Sequence, residues 1–190
     1  DKVNRIIDSF SANFDCSIEE TEELDAFKIY IDDRLAFNFE DSFDDMNLDY
    51  KYLCKKIAAL EETESAMILG SGMAAISTTL LSLLDSGDHI VFQKDIYGGT
   101  RNLVEAQFKR YGIQYSFTDG LDVQFFEKEI KPNTKAIYIE TPSNPLLKLV
   151  DIQKIADLSK SKNLISFIDN TFATPLIQKP HKLGIDIILH

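Results

Sequence analysis

From Asp49 to His190, short apolar runs alternate with longer stretches of helical periodicity. Runs that fit strands are Ala66–Leu69, His89–Phe92, Ile113–Phe117, Ala136–Ile139, Leu164–Ile168 and Ile185–Leu189. Between them, Met73–Leu84, Thr100–Arg110, Val123–Ile130 and Ile152–Ser161 fit helices. An earlier helix, with Asp49 as its N-cap, carries Leu53, Ile57 and Leu60 on one face. Strands that alternate with helices make βαβ units and a parallel sheet. Several of these runs are apolar throughout, as strands buried on both faces must be. The expected class is therefore α/β, an αβα sandwich with a mostly parallel sheet.

Charge separates off the beginning of the chain. The net charge is −11 over 190 residues. Residues 1–50 hold 15 of the 31 acidic and 4 of the 20 basic residues, and the remaining 16 and 16 cancel. Residues 1–45 read as an acidic N-terminal arm, and 46–190 as the α/β unit. Glu19-Glu20-Thr21-Glu22-Glu23 reads as a solvated helix face or a mobile arm. A net acidic surface repels phosphate backbones, which argues against nucleic acid as a partner. No apolar run reaches the roughly 18 residues of a membrane span. Two cysteines, Cys16 and Cys54, are too few for a disulfide framework and fit a reduced, cytoplasmic setting. The chain opens Asp1-Lys2-Val3-Asn4, without methionine or apolar leader, and is read as starting inside a longer product.

In open α/β sheets ligands bind at the carboxyl ends of the strands. Gly70-Ser71-Gly72-Met73-Ala74-Ala75 permits close backbone approach and opens a helix, whose free amides favour an anion such as phosphate. It also matches the dinucleotide pattern G-x-G-x-x-A, with Asp95 as a ribose acceptor; the alternative is a tight strand–helix turn with no ligand. Asp169 ends an apolar strand. It needs either a cationic partner, such as a protonated ring nitrogen, or the amides of the turn through Asn170 and Thr171. Tyr97, beside Gly98 and Gly99, either stacks on a planar ligand or packs in the core. His89, His181 and His190 have no metal-ligand spacing, and His89 reads as a strand-start residue. No G-x-S-x-G elbow is present.

Taken in order, the loops resemble the PLP-dependent Cys/Met-metabolism family, which includes cystathionine γ-synthase, cystathionine γ-lyase and methionine γ-lyase. The matching segments are Ser71–Ile76, Gly87-Asp88-His89, Ile96–Thr100, Glu140–Pro145, Asp169–Pro175 and Gly184–His190. The resemblance implies the large domain of a fold-type I PLP enzyme, incomplete here, with pyridoxal 5′-phosphate (PLP) as cofactor. It implies that Ser71, Gly72 and Met73 meet the cofactor phosphate and that Tyr97 stacks on the ring. Asp169 would pair with the ring nitrogen, Asn144 would lie near the phenolic oxygen and substrate, and Thr171 would pack by the ring. Tyr97 and Asp169 are the implied catalytic residues. The implied reaction is elimination or replacement at the β or γ carbon of a sulfur-containing amino acid. The implied assembly is a cytoplasmic homo-oligomer, a dimer or tetramer.

Two departures accompany the resemblance. The family's Schiff-base lysine stands in a Ser-x-Thr-Lys segment after the equivalent of His190, and no lysine of this sequence has that context. The family also carries Tyr-x-Arg-x-x-Asn-Pro-Thr, whose Tyr and Arg reach a neighbouring subunit's phosphate. With Asn47 setting the register, Ser42 and Asp44 replace them, and Arg34 is the candidate substitute. Asp44 is the feature that favours the alternative, a non-catalytic relative that keeps the fold.

Overall fold

The computed structural model describes residues 16–20, 27–31, 34–37 and 44–190. Strands β1 (Cys16–Glu20), β2 (Phe27–Ile31) and β3 (Arg34–Phe37) form an antiparallel sheet in the order β1-β2-β3. Glu19 and Glu20 end β1, so this part of the acidic run is strand and not helix. Ser42 lies outside the described residues, as do the side chains of Arg34 and Asp44, and with them the question of a substitute phosphate anchor.

Helix α1 (Asp44–Glu61) starts earlier than the sequence suggests. It begins at Asp44, so Asp49 is interior and not the N-cap. Then follow α2 (Gly72–Leu83), β4 (His89–Phe92), α3 (Gly98–Tyr111), β5 (Gln114–Phe117), α4 (Val123–Glu129) and β6 (Thr134–Glu140). The chain continues with α5 (Ile152–Ser161), β7 (Ile165–Asp169), a short α6 (Thr174–Ile177), a 3-10 turn at Pro180–Leu183 and β8 (Ile187–Leu189).

Strands β4 to β8 form one sheet in the order β5-β4-β6-β7-β8, with every pair parallel. Alternation along the strands divides its residues between two cores. Ile90, Phe92, Tyr138 and Phe167 pack with Ile76 and Leu80 of α2 and with Val104 and Phe108 of α3. Val91, Ile137, Ile139 and Ile168 point to the other face, with Phe126 of α4 and Ile152, Ile155 and Ala156 of α5. The spacings Ile76/Leu80, Val104/Phe108 and Ile152/Ile155/Ala156 are those of single helix faces. Each fully buried large apolar side chain contributes about 1.5–3 kcal/mol. Phe92 is central to the first core, its ring centroid lying 5.3 Å from that of Tyr138 and 5.7 Å from that of Phe117. The expected αβα sandwich with a parallel sheet is thus the observed fold.

Two strand expectations change. Ala66–Leu69 joins no sheet among the described residues. Instead the N–H and C=O of Ile68 meet the Tyr50 hydroxyl at 3.4 and 3.3 Å, so α1 takes up the backbone groups that a neighbouring strand would. Strand β8 begins at Ile187 rather than Ile185. Asp186 turns its carboxylate to the Ser166 N–H and hydroxyl at 3.0 and 2.9 Å, and these side-chain bonds replace the first rungs of the ladder.

Candidate functional site

Four loops meet at the carboxyl ends of β4, β6 and β7. The first leads into α2. Ser71 is its N-cap, the hydroxyl accepting from the Ala74 N–H at 3.0 Å, while the Ala75 N–H goes to the Ser71 carbonyl. The amides of Gly72 and Met73 are left with no acceptor among the described residues. Two free N–H groups at the positive end of a twelve-residue helix suit an anion. A Cβ on Gly72 would stand 3.1 Å from the His190 carbonyl oxygen, so glycine lets α2 start against the end of β8.

The second loop carries Tyr97, the N-cap position of α3. Its side chain is 42% exposed, which disposes of the core-packing reading. The ring lies over Gly99, where an added Cβ would come 2.5 Å from Tyr97 Cε1 and 3.1 Å from Met73 Sδ. Tyr97 and Met73, from different loops, therefore flank one point of backbone, where a side chain could enter only by moving the Tyr97 ring.

The third loop follows β6. Glu140, almost fully buried, accepts the Tyr97 N–H on Oε2 at 2.6 Å and the Asn144 N–H on Oε1 at 2.7 Å. Burial pushes its carboxyl up, the two N–H donors pull it back down, and the Asp169 charge adds a smaller upward push. The buried Gln93 side chain completes the link, accepting from the Glu140 N–H at 3.0 Å and donating to the Asp95 carbonyl at 2.9 Å. Burial pushes the Tyr138 hydroxyl well up, and the Asp169 and Glu140 charges push it in the same direction.

The fourth loop follows β7. Asp169 is 7% exposed and stands in register with Glu140 on β6. Its Oδ1 accepts from the Thr171 N–H at 3.0 Å, so the turn-capping reading holds for one oxygen. The other oxygen receives no hydrogen bond among the described residues and is free for a cationic donor. Asn170 is turned away, into a buried network in which it donates to Glu61 Oε1 at 3.0 Å and accepts from Gln178 at 2.8 Å. His190 Nε2 meets the same Glu61 oxygen at 2.6 Å.

The structure thus brings Ser71, Gly72, Met73, Tyr97, Asn144, Asp169 and Thr171 to one edge of the sheet. Ser71 spends its hydroxyl on the cap and Thr171 spends its amide on Asp169. Sequence reasoning overlooked Glu140 and Gln93. The argument applied to Asp169, a carboxylate ending an apolar strand, also singles out Glu140. The dinucleotide reading loses its context. Its glycines need a strand immediately before them, and Ala66–Leu69 is not one. Asp95 is paired with Lys148 at 2.7 Å. Among the described residues no group of three or more His, Cys, Asp or Glu could hold a metal ion.

Comparison with known proteins bears on the family and the fold. Residues 43–190 match the family model described as Cys/Met metabolism PLP-dependent enzyme. The chain is 48% identical over 134 residues to the cystathionine beta-lyase MetC of Bacillus subtilis (strain 168), covering 70% of this chain and 34% of that protein. It is 44% identical over 136 residues to an L-methionine gamma-lyase of Fusobacterium nucleatum subsp. nucleatum, covering 71% and 34%. The crystal structure of metB from Corynebacterium glutamicum superposes with a TM-score of 0.74 at 32% identity, over 98% of this chain and 50% of that one. The chain spans about a third of the length of these curated relatives.

Proposed function

The chain belongs to the Cys/Met metabolism PLP-dependent enzymes, and we propose that the whole protein carrying it uses PLP to eliminate or replace a group at the β or γ carbon of a sulfur-containing amino acid. The observation that carries this is the Asp169 oxygen that takes no hydrogen bond among the described residues, on a carboxylate buried at a strand end in register with Glu140.

The residues fit the cofactor. Gly72 and Met73 offer two unclaimed amides to a phosphate dianion. The exposed ring of Tyr97, held over Gly99 beside Met73, offers a face for an aromatic ring. When bound, the cofactor supplies an electron sink for a carbanion, provided its ring nitrogen stays protonated. Asp169 holds that proton, because an ionised carboxylate in a buried setting favours a cationic partner. Thr171 fixes the carboxylate's orientation through its N–H. The Asn144 backbone N–H is anchored on Glu140, the carboxylate that also holds the Tyr97 backbone, and its side chain is the one that would meet the cofactor's phenolic oxygen and the substrate. Tyr97 keeps water off one face of the ring.

The same reading extends to assembly and location. Leu146, Leu147, Leu149, Phe172, Leu176 and Ile177 are large, apolar and exposed close to this edge. Six exposed apolar side chains on the segments that follow β6 and β7 call for cover, which supports a homo-oligomer or the remainder of the protein. Cytoplasmic residence is the setting that suits a reduced thiol such as Cys54. No helix among the described residues is long and apolar enough to cross a membrane.

The test is PLP absorbance of the whole protein, followed by borohydride reduction and peptide mapping. The expected result is one visible band and one pyridoxyl-lysine, located in a Ser-x-Thr-Lys segment outside residues 1–190. A specific label on a lysine within 1–190 overturns the lysine assignment. Absence of binding favours the non-catalytic relative.

A further inference from the structure

Glu140 hydrogen-bonds the backbone of both loops that flank the candidate site. A carboxylate has about four lone-pair sites on two oxygens, and Glu140 divides them, one oxygen to the Tyr97 amide and the other to the Asn144 amide. Tyr97 is the N-cap of α3 and has no side-chain cap of its own, so the buried charge also faces the positive end of that helix. Both bonds are short, at 2.6 and 2.7 Å, as charge-assisted bonds are.

The same two loops are joined a second time, by the Lys148–Asp95 pair. Those side chains are 43% and 25% exposed, and a partly solvated pair of this kind contributes little. Positional control therefore falls to the buried clamp.

We propose that Glu140 is a positioning residue that sets where the Tyr97 ring and the Asn144 side chain stand over the cofactor. This rests on the PLP site proposed above. Chemistry explains why the residue is glutamate. Glutamine accepts through a single oxygen, so its amide would point donors at one of the two N–H groups. Aspartate keeps the charge but is one methylene too short to span both amides.

The test measures binding of pyridoxamine 5′-phosphate to the whole protein by fluorescence titration. This probe forms no Schiff base, so it reads noncovalent grip alone and needs no turnover. Four proteins make a double-mutant cycle: wild type, Glu140→Gln, Tyr97→Ala and the double variant. Glu140→Gln is expected to raise Kd about tenfold in the Tyr97 background, since a buried donor loses its acceptor. In the Tyr97→Ala background the same change is expected to cost less than about threefold, because residues that act as a unit are not additive. An equal effect in both backgrounds, or none in either, overturns the proposal, since a merely structural role is blind to Tyr97. Should Glu140→Gln not fold, Glu140→Asp enters the same cycle with the same two outcomes. Failure of the wild type to bind the probe counts against the cofactor site itself, a result distinct from failure of the clamp.

Discussion

Glu140 and Asp169 stand side by side in register at the carboxyl ends of β6 and β7, two buried carboxylates on adjacent strands. Their hydrogen bonds divide the work. Glu140 commits both oxygens to loop amides, whereas Asp169 commits one and keeps one free. The second arrangement leaves a whole oxygen to a ligand's positive charge.

Asp169→Asn separates the two roles of that residue. The amide oxygen still accepts from the Thr171 N–H, so the turn survives, but the charge is lost. Removing one partner of a buried charge pair costs about 3–5 kcal/mol, so turnover of the whole protein should fall by several orders of magnitude. Turnover near the wild-type value would mean that Asp169 serves the turn alone.

Gly99→Ala should act on the Tyr97 ring. The new Cβ would stand 2.5 Å from Tyr97 Cε1, and the ring, being exposed, can swing aside. Alanine in place of glycine in a helix changes stability by under about 1 kcal/mol, so the melting temperature should hold. PLP affinity should weaken by about tenfold, the equivalent of one modest contact. An unchanged titration would separate the Tyr97 ring from the cofactor.

His89 should resist protonation. It is fully buried at the start of β4, with Nδ1 2.8 Å from the Thr134 hydroxyl and Nε2 3.0 Å from that of Ser116. Burial, with the nearby Lys131 charge, lowers its pKa from 6.5 to about 4. The unfolded chain takes up this proton before the folded one does, so the contribution to stability is lost as pH falls from 6.5 towards 4. Its full size is about 3 kcal/mol. Histidine-labelled NMR, assigned with a His89→Gln variant, should show this ring neutral at pH 5. A midpoint near 6.5 would contradict the burial argument.

Glu61→Ala should loosen α1 from the sheet. Glu61 is 2% exposed and holds both Asn170 and His190 through one oxygen. Asn170 keeps a bond to the Gln178 carbonyl, so the loss should be about 1–3 kcal/mol rather than collapse of the fold. Thermal unfolding of the whole protein reads it, and an unchanged melting temperature would show that the network is dispensable.

The αβα sandwich could be read in the sequence because Ile90–Phe92, Ala136–Ile139 and Phe167–Ile168 are apolar on both faces, which only a covered sheet requires. Ala66–Leu69 looks the same on paper, yet its fate depends on which neighbour meets it, and here that is Tyr50. Tyr97 and Asp169 were visible because an aromatic ring beside glycines and a charge ending a strand are local patterns. Glu140 carries the same strand-end signal as Asp169, but its partners do not: they are backbone amides, one of them 43 residues away, and an amide leaves no trace in sequence. Asp49 shows the opposite failure. It has the chemistry of a cap, but Asp44 and Asp45 start the helix first.

The measurement that bears most directly on the account is a crystal structure of the whole protein loaded with PLP. The account predicts the phosphate within about 2.7–3.2 Å of the Gly72 and Met73 amides, and the ring nitrogen at similar distance from the free Asp169 oxygen. It also predicts the Tyr97 ring stacked on the cofactor. A cofactor seated away from Asp169, or a phosphate held without the start of α2, would contradict it.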